Sequence, residues 1–232
     1  MIRFTEFERL GVAVAAFSDK ADGDCGLTTG PAGRDKLCGQ CHVNPGHLVC
    51  ARQVHGVKVV RATESDRGRG ARSRDNAFPD TDGIVTDVAG LPLAILVADC
   101  VPLYLYDPRR RAGGLVHAGR RGTLAGIAEK AVAVLDHAFG CCPEHLHALV
   151  GPSAGPERYE VSWEMAQEFS DAGLPARGRI LDLWEANAHQ LARAGVPRDH
   201  VSIAAICTIS DARFHSYRRD GEAARNMALF AL

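Results

Sequence analysis

The chain has 232 residues, which suits one large domain or two small ones, and 46% of it is hydrophobic, enough for a sizeable core. Its 27 basic and 28 acidic side chains leave a formal charge of -1, which excludes the strong basic bias of a nucleic-acid or anionic-membrane binder. No apolar run approaches the roughly 18 residues of a membrane span. The opening MIRFTEFERL has no signal-peptide core, so the eight cysteines read as reduced thiols of a cytoplasmic protein.

Residues 11–17 (GVAVAAF) predict a strand. Residues 18–46, rich in Gly, Asp, Cys and Pro, predict an irregular loop. Inside it, Cys38-Gly39-Gln40-Cys41-His42 has the form of a haem c attachment site, a reading that needs export. Two alternatives stay open for these thiols. They are ordinary loop cysteines, or half of a second metal site completed by Cys25 or Cys50. Residues 47–55 predict a strand, with Gly56 as a kink and residues 57–61 continuing the pairing. Residues 63–78 carry many Arg, Ser, Asp and Gly and predict a surface loop. Residues 81–87 predict a turn and a short strand.

The stretch 91–122 carries the densest signal. Residues 93–97 have the continuous apolar character of a buried strand, and Asp99-Cys100 falls where that run stops. Residues 102–106 resume it, and Asp107-Pro108 marks a turn. Residues 114–117 form another apolar run that ends on His117. Residues 118–122 then lead into a helix over 123–139, with apolar groups at Leu124, Ile127, Ala128, Ala131, Leu135 and Ala138. Gly140 supplies its stop. Residues 146–150 predict a strand, and Gly151-Pro152-Ser153-Ala154-Gly155-Pro156 a rigid loop. Helices follow over 162–172 and 182–194, then a strand over 201–207, a polar, aromatic and basic segment over 214–221, and a last strand over 227–232. Strands and helices mix without a strict βαβ rhythm. The class is therefore α/β in the α+β or layered-sandwich sense, as one domain over 1–232.

His55, Cys100 and His117 each end an apolar run. Two imidazoles and one thiolate suit zinc with a fourth position open to water or substrate. The same types also suit copper, although a multinuclear copper centre needs many histidines, and His145-Leu146-His147 is the one His-x-His unit here. Read without a metal, Cys100 and His117 suit an activated nucleophile and its base. Arginine pairs form a second theme: Arg120-Arg121 after a glycine turn, and Arg218-Arg219 after Ser216-Tyr217. Arginine clamps phosphate or carboxylate in a bidentate fork.

Four segments occur in one order: Gln53-Val54-His55-Gly56, Ala98-Asp99-Cys100-x-Pro102, His117-Ala118-Gly119-x-Arg121-Gly122 and Ser216-Tyr217-Arg218-Arg219-Asp220-Gly221. Gly151-Pro152, Tyr159-Glu160-Val161 and Cys207-Thr208 join them. Together they resemble the laccase-domain family, also called the multicopper polyphenol oxidase or purine nucleoside phosphorylase family, most clearly over 50–232. The resemblance implies a layered α-β-β-α sandwich similar to cysteine hydrolases. It implies a metal site at His55, Cys100 and His117, usually assigned to zinc. It further implies phosphorolysis of purine nucleosides, adenosine deamination, phenol oxidation with copper, or, in some bacterial members, an amidase that edits peptidoglycan precursors. Three residues depart from the family pattern: Arg120 stands for a usual Trp, Ser153 for a common Cys, and Lys20 for the usual Arg of an early loop.

The expectation is a zinc-dependent enzyme on purine nucleosides with phosphate as the second substrate. In it, His55, Cys100 and His117 hold the metal or activate the nucleophile, Arg121 and Arg218 contact an anion, and Asp99 orients a ligand. The rivals are a Cys100–His117 amidase, a copper-dependent phenol oxidase and a non-catalytic metal-binding protein. No nucleic-acid or membrane partner is expected, and nothing in the sequence fixes an oligomeric state.

Overall fold

The computed structural model describes all of residues 1–232. In chain order its elements are β1 (Ile2–Arg3), α1 (Thr5–Arg9), β2 (Val14–Phe17), α2 (Ala32–Gln40), β3 (Val49–Cys50), β4 (Val59–Arg61), β5 (Gly83–Thr86), β6 (Leu93–Val97), β7 (Val101–Asp107) and β8 (Ala112–Ala118). Then come α3 (Arg120–Leu124), α4 (Ile127–Phe139), β9 (His147–Val150), α5 (Trp163–Asp171), β10 (Ala176–Arg177), β11 (Ile180–Leu181), α6 (Leu183–Arg193), β12 (Val201–Ile203), α7 (Tyr217–Asp220) and β13 (Asn226–Ala231).

Two mixed sheets stack face to face. The first runs β1-β2-β13-β6-β3 and the second β12-β9-β7-β8-β5-β4. Strands β7, β8 and β13 are buried along their whole length, which is why they read as unbroken apolar runs and not as alternations. Between the sheets lies a core that includes Phe17, Ile95, Tyr104, Leu115 and Phe230. On the outer face of the second sheet, Ala131, Leu135, Phe169 and Leu191 of the helices pack on Leu103 and Val116. On the outer face of the first sheet, Leu37 and Cys38 of α2 pack with Ala16 and Leu229. The architecture is the α-β-β-α sandwich, with a helical layer on each side.

Five local expectations are corrected. The strand expected over 47–55 is β3 alone, Val49–Cys50. The expected loop over 18–46 contains α2. Its buried face is built from Arg34, Leu37 and Cys38, so an arginine occupies a core position and hides the apolar stripe. Residues 57–61 do not pair with the strand before Gly56. Strands β3 and β4 lie in different sheets, and the chain crosses between layers at Gly56. The helix expected over 123–139 begins earlier, at Arg120, and is broken by Gly126, whose φ of 80° leaves the helical region. The strand expected over 201–207 stops at Ile203, and Ala205 turns out of it with φ 53°.

The thiols of the Cys-x-x-Cys-His segment are interior packing groups. Cys25, Cys38, Cys41 and Cys50 are all buried in one apolar cluster. Burial pushes the Cys38 and Cys50 thiols up to about 12, which keeps them protonated. Their sulfurs do not converge as a ligand set.

Arg34 is 1% exposed and has no carboxylate partner. Its guanidinium donates instead to the carbonyls of Cys25, Gly26, Gly30 and Ala71. Those bonds hold the loop after Cys25 from behind. Arg34→Met strands several buried carbonyls and is expected to cost about 3 kcal/mol. For a domain of this size that lowers Tm by about 6–12 °C. An unchanged melting curve would refute the clamp.

Candidate metal and catalytic site

The site is assembled around Asp82, in the turn that enters β5. Its carboxylate is fully buried and accepts backbone N–H bonds from Val54 at 3.2 Å, His55 at 2.9 Å and Gly56 at 2.8 Å. Three successive N–H groups converge on one anion because His55 sits at φ 61°, in the left-handed region. Asp82 Oδ1 also lies 2.7 Å from His117 Nδ1, which donates to it. Burial pushes this carboxyl up, but the bond from His117 and the backbone donors outweigh it and hold the group below its ordinary value, ionised. One carboxylate thus positions both the loop that carries His55 and the ring of His117. With Nδ1 committed, the other ring nitrogen, Nε2, is turned toward Cys100.

Cys100 comes from the crossing between β6 of the first sheet and β7 of the second. Its neighbour Asp99 takes φ 79° to make that turn. Burial works against a thiolate here. The charge of His117 and hydrogen bonds from both histidines reverse that effect and bring Cys100 down to about 6. His117 is in turn raised, against its own burial, by Cys100 and Asp82.

The ligand atoms of His55, Cys100 and His117 all lie within 4.8 Å of one another. The two rings meet edge to face, with centroids 4.8 Å apart and planes at 75°. His117 is buried, Cys100 half-buried and His55 exposed, so the cluster is closed on one side and open on the other. Two imidazoles and one sulfur around a common point, one imidazole anchored by a carboxylate at its far nitrogen, fit a borderline-soft metal ion.

The glycines of the following segment make room for this convergence. A Cβ on Gly119 would lie 2.9 Å from His55 Cδ2 and 3.0 Å from Cys100 Sγ, and one on Gly122 would lie 2.8 Å from the Gly56 carbonyl oxygen. Gly119→Ala is therefore expected to spread the ligands and weaken divalent-metal binding about tenfold or more, by analogy with the loss of a ligand-orienting group. Isothermal titration with Zn2+ checks this, and wild-type affinity in the variant would sink it.

The open side faces a cleft of about 730 Å³ whose lining includes Arg52, Arg74, Arg120, Arg121, Arg218 and Arg225. Arg121 is exposed in it, as expected for an anion contact. Arg218 also lines it, but its Nη1 donates to the Glu160 carbonyl at 2.7 Å and its guanidinium lies 5.0 Å over Tyr159. Tyr217, 60% exposed, lines the same cleft.

Asp99 does not orient a metal ligand. Its carboxylate accepts from Thr208 Oγ1 at 2.7 Å, Ser216 Oγ at 3.0 Å and the Arg218 backbone N–H at 2.6 Å. It fastens Thr208 and the start of α7 to the Cys100 turn and makes no hydrogen bond to His55 or His117. The orienting carboxylate is Asp82, in a stretch that the sequence marks only as a turn. A buried acid one residue before a short strand carries no pattern of its own.

Of the three departures, Arg120 lines the cleft. Ser153 is buried and accepts from Trp184 Nε1 at 2.7 Å. Lys20 lies outside the cleft lining, 3.1 Å from Asp220.

An α-β-β-α domain with one His–Cys–His cluster under an arginine-lined cleft defines a protein with a single metal-capable or thiol-based site. The model of the family described as multi-copper polyphenol oxidoreductase laccase matches residues 31–232, and the chain belongs to that family. It is 39% identical over 193 residues to the purine nucleoside phosphorylase YlmD of Geobacillus stearothermophilus, covering 78% of this chain and 70% of that protein. It is 35% identical over 235 residues to the purine nucleoside phosphorylase of Xylella fastidiosa, covering 93% of this chain and 85% of that one. The crystal structure of YlmD from Geobacillus stearothermophilus superposes with a TM-score of 0.86 at 34% identity, over 94% of this chain and 91% of that one. The structure of the hypothetical protein YfiH of Bacillus licheniformis gives 0.87 at 30% identity, over 94% and 92%. No helix is long and apolar enough to cross a membrane.

Proposed function

We propose that the protein is a zinc-dependent purine nucleoside phosphorylase. One observation carries the reading: His55, Cys100 and His117 converge at the floor of a cleft whose walls present free guanidinium groups. Relatives named purine nucleoside phosphorylase, at 33% identity and above, point the same way. Zinc, held by those three residues, supplies a Lewis acid for a substrate oxygen.

The chain's own residues do the rest. Asp82 keeps His117 in one tautomer and one orientation. Arg120 and Arg121 fix a phosphate beside the cluster by bidentate bonds. Tyr217 offers an exposed ring on which a purine stacks. In the reaction a phosphate oxygen bonds to C1′ of the ribose while the C1′–N9 bond breaks. The electron pair leaves with the purine, which takes up a proton. Incubation with adenosine and inorganic phosphate, with the products resolved, tests this. Adenine and ribose 1-phosphate are expected, whereas inosine alone would assign deamination to the site.

A second reading is favoured by one specific contact chain, Cys100–His117–Asp82. This is a nucleophile, a base and an orienting acid in the order of a cysteine hydrolase. In that reading the Cys100 thiolate attacks an amide carbonyl, the C–N bond breaks as protonated His117 gives its proton to the leaving amine, and a water activated by His117 then hydrolyses the thioester to free Cys100. Amide cleavage that survives a chelator and is lost in Cys100→Ala would select it. The copper reading has less support. Only two histidines converge with Cys100, and His147 of the His-x-His unit stacks on His200 at 4.2 Å instead.

A further inference from the structure

Charge is distributed unevenly over this molecule. The whole chain is close to neutral, at -1. The cleft lining sets six arginines against one carboxylate, Asp99. That carboxylate is already occupied by three donors, from Thr208, Ser216 and Arg218. Among the six arginines only Arg52 has a carboxylate partner, Asp80 at 3.3 Å. One phosphate dianion is satisfied by about two guanidiniums. The cleft holds more cationic capacity than one attacking phosphate uses.

The arginines also come in two sets. Arg120 and Arg121 open α3 directly after Gly119, the residue packed against His55 and Cys100. They adjoin the reacting centre. Arg52, Arg74 and Arg225 belong to a different wall. Arg225 is tied through its backbone N–H to Asp24 at 2.8 Å, and Arg34 joins the carbonyls of Gly26 and Ala71. The Arg52 N–H donates to the Phe78 carbonyl at 2.8 Å. The segments around 24–30, 71–78 and 225 are thus held together as one wall, and it carries its own guanidinium groups. A cleft of about 730 Å³ has room for a nucleotide together with a phosphate ion.

We propose that the second set of arginines recognises a phosphate carried by the substrate itself, so that the preferred substrate class is a purine nucleoside 5′-phosphate. This rests on the phosphorylase reading of the same site and names its substrate more closely. The reaction balances as before. The attacking phosphate bonds to C1′, the purine leaves with the electron pair and takes up a proton, and the 5′ phosphate ester passes through unchanged.

The test is titration calorimetry of the purified full-length chain, its metal content measured beforehand, in low-salt buffer free of phosphate. The probes are adenosine, adenosine 5′-monophosphate and inorganic phosphate. The monophosphate is expected to bind at least about tenfold more tightly than adenosine, with the ratio shrinking as salt is added. Arg74→Gln is expected to narrow that ratio several-fold. Arg72→Gln, on the same segment but paired with Asp35 at 2.7 Å and absent from the cleft lining, leaves it as it was.

Inorganic phosphate distinguishes the two sources of anion. If it binds alongside the monophosphate, there are two anion sites, as proposed. If it competes with the monophosphate throughout, a single anion site exists and the proposal fails. Equal affinity for adenosine and its monophosphate, or indifference to Arg74→Gln, also overturns it. Turnover separates this proposal from the reading beneath it. Adenosine phosphorolysed without any preference for the monophosphate leaves the phosphorylase standing and removes this inference. Preferential binding of the monophosphate with neither compound cleaved keeps the second anion site but removes the phosphorylase, and with it the monophosphate as its substrate.

Discussion

Cys100→Ala is expected to reduce kcat/KM for adenosine phosphorolysis by about 10³-fold or more, equivalent to about 4 kcal/mol of transition-state stabilisation. The reason is geometric. Cys100 supplies the one sulfur among three ligand atoms that lie within 4.8 Å of each other. The two histidines left behind offer a neutral, two-donor site that holds a divalent cation far more weakly than three donors including a thiolate. Bound zinc, measured by elemental analysis beside the wild type, is expected to fall with activity. Cys100 is half-buried and packs at the edge of the inter-sheet core, so its truncation by one atom is expected to leave the melting curve within a few degrees of the wild type. A folded variant that kept a tenth of its activity would end the claim that this sulfur takes part. Loss of activity with zinc content intact would instead move Cys100 from ligand to nucleophile and favour the amidase reading.

The motif residues were legible because they interrupt strong patterns. Cys100 stops one apolar run, and His117 closes another that is buried from Ala112 to Ala118. Both fall where strands of the sandwich end. The helices α5 and α6 were legible for the same reason, since their apolar stripes have the right period. What stayed hidden was whatever a charged or polar side chain did in place of the backbone or the core. Arg34 fills an interior position and disguises α2. Gln53 pairs with Leu96 as a strand backbone does, Nε2 donating to the carbonyl at 2.7 Å and Oε1 accepting from the N–H at 2.9 Å. It therefore continues the edge of the first sheet past the point where β3 ends, and the expected longer strand is a side chain. The layer crossing at Gly56 has the sequence signature of a pairing because a glycine kink serves both. Asp99, adjacent to Cys100 in sequence, was the natural choice for an orienting acid. Its carboxylate is taken by Thr208, Ser216 and the Arg218 N–H, and the acid that reaches His117 comes from the turn before β5, 35 positions from that histidine in sequence.

That buried acid carries the largest effect expected away from the ligands themselves. In Asp82→Asn the shape is kept and the charge is lost. Four donors now point at the side chain: the N–H groups of Val54, His55 and Gly56, and Nδ1 of His117. An amide accepts through its oxygen alone, and its nitrogen is itself a donor. At least one of the four is left facing another donor in a fully buried position, at a cost of about 1–3 kcal/mol. Because Asp82 fixes both the His55 loop and the His117 ring, the metal cluster loses its alignment at two of three points. Zinc affinity is expected to fall about 10–100-fold, the usual consequence of removing a carboxylate behind a ligating histidine. Activity at saturating zinc is expected to recover in part, because all three ligands are still present. Asp82→Ala, which removes every acceptor, is expected to lose more stability and more affinity than the amide. A purely structural role predicts a different outcome: a lower Tm with the zinc dissociation constant unchanged. That result would detach Asp82 from the site and leave His117 held in place by packing alone.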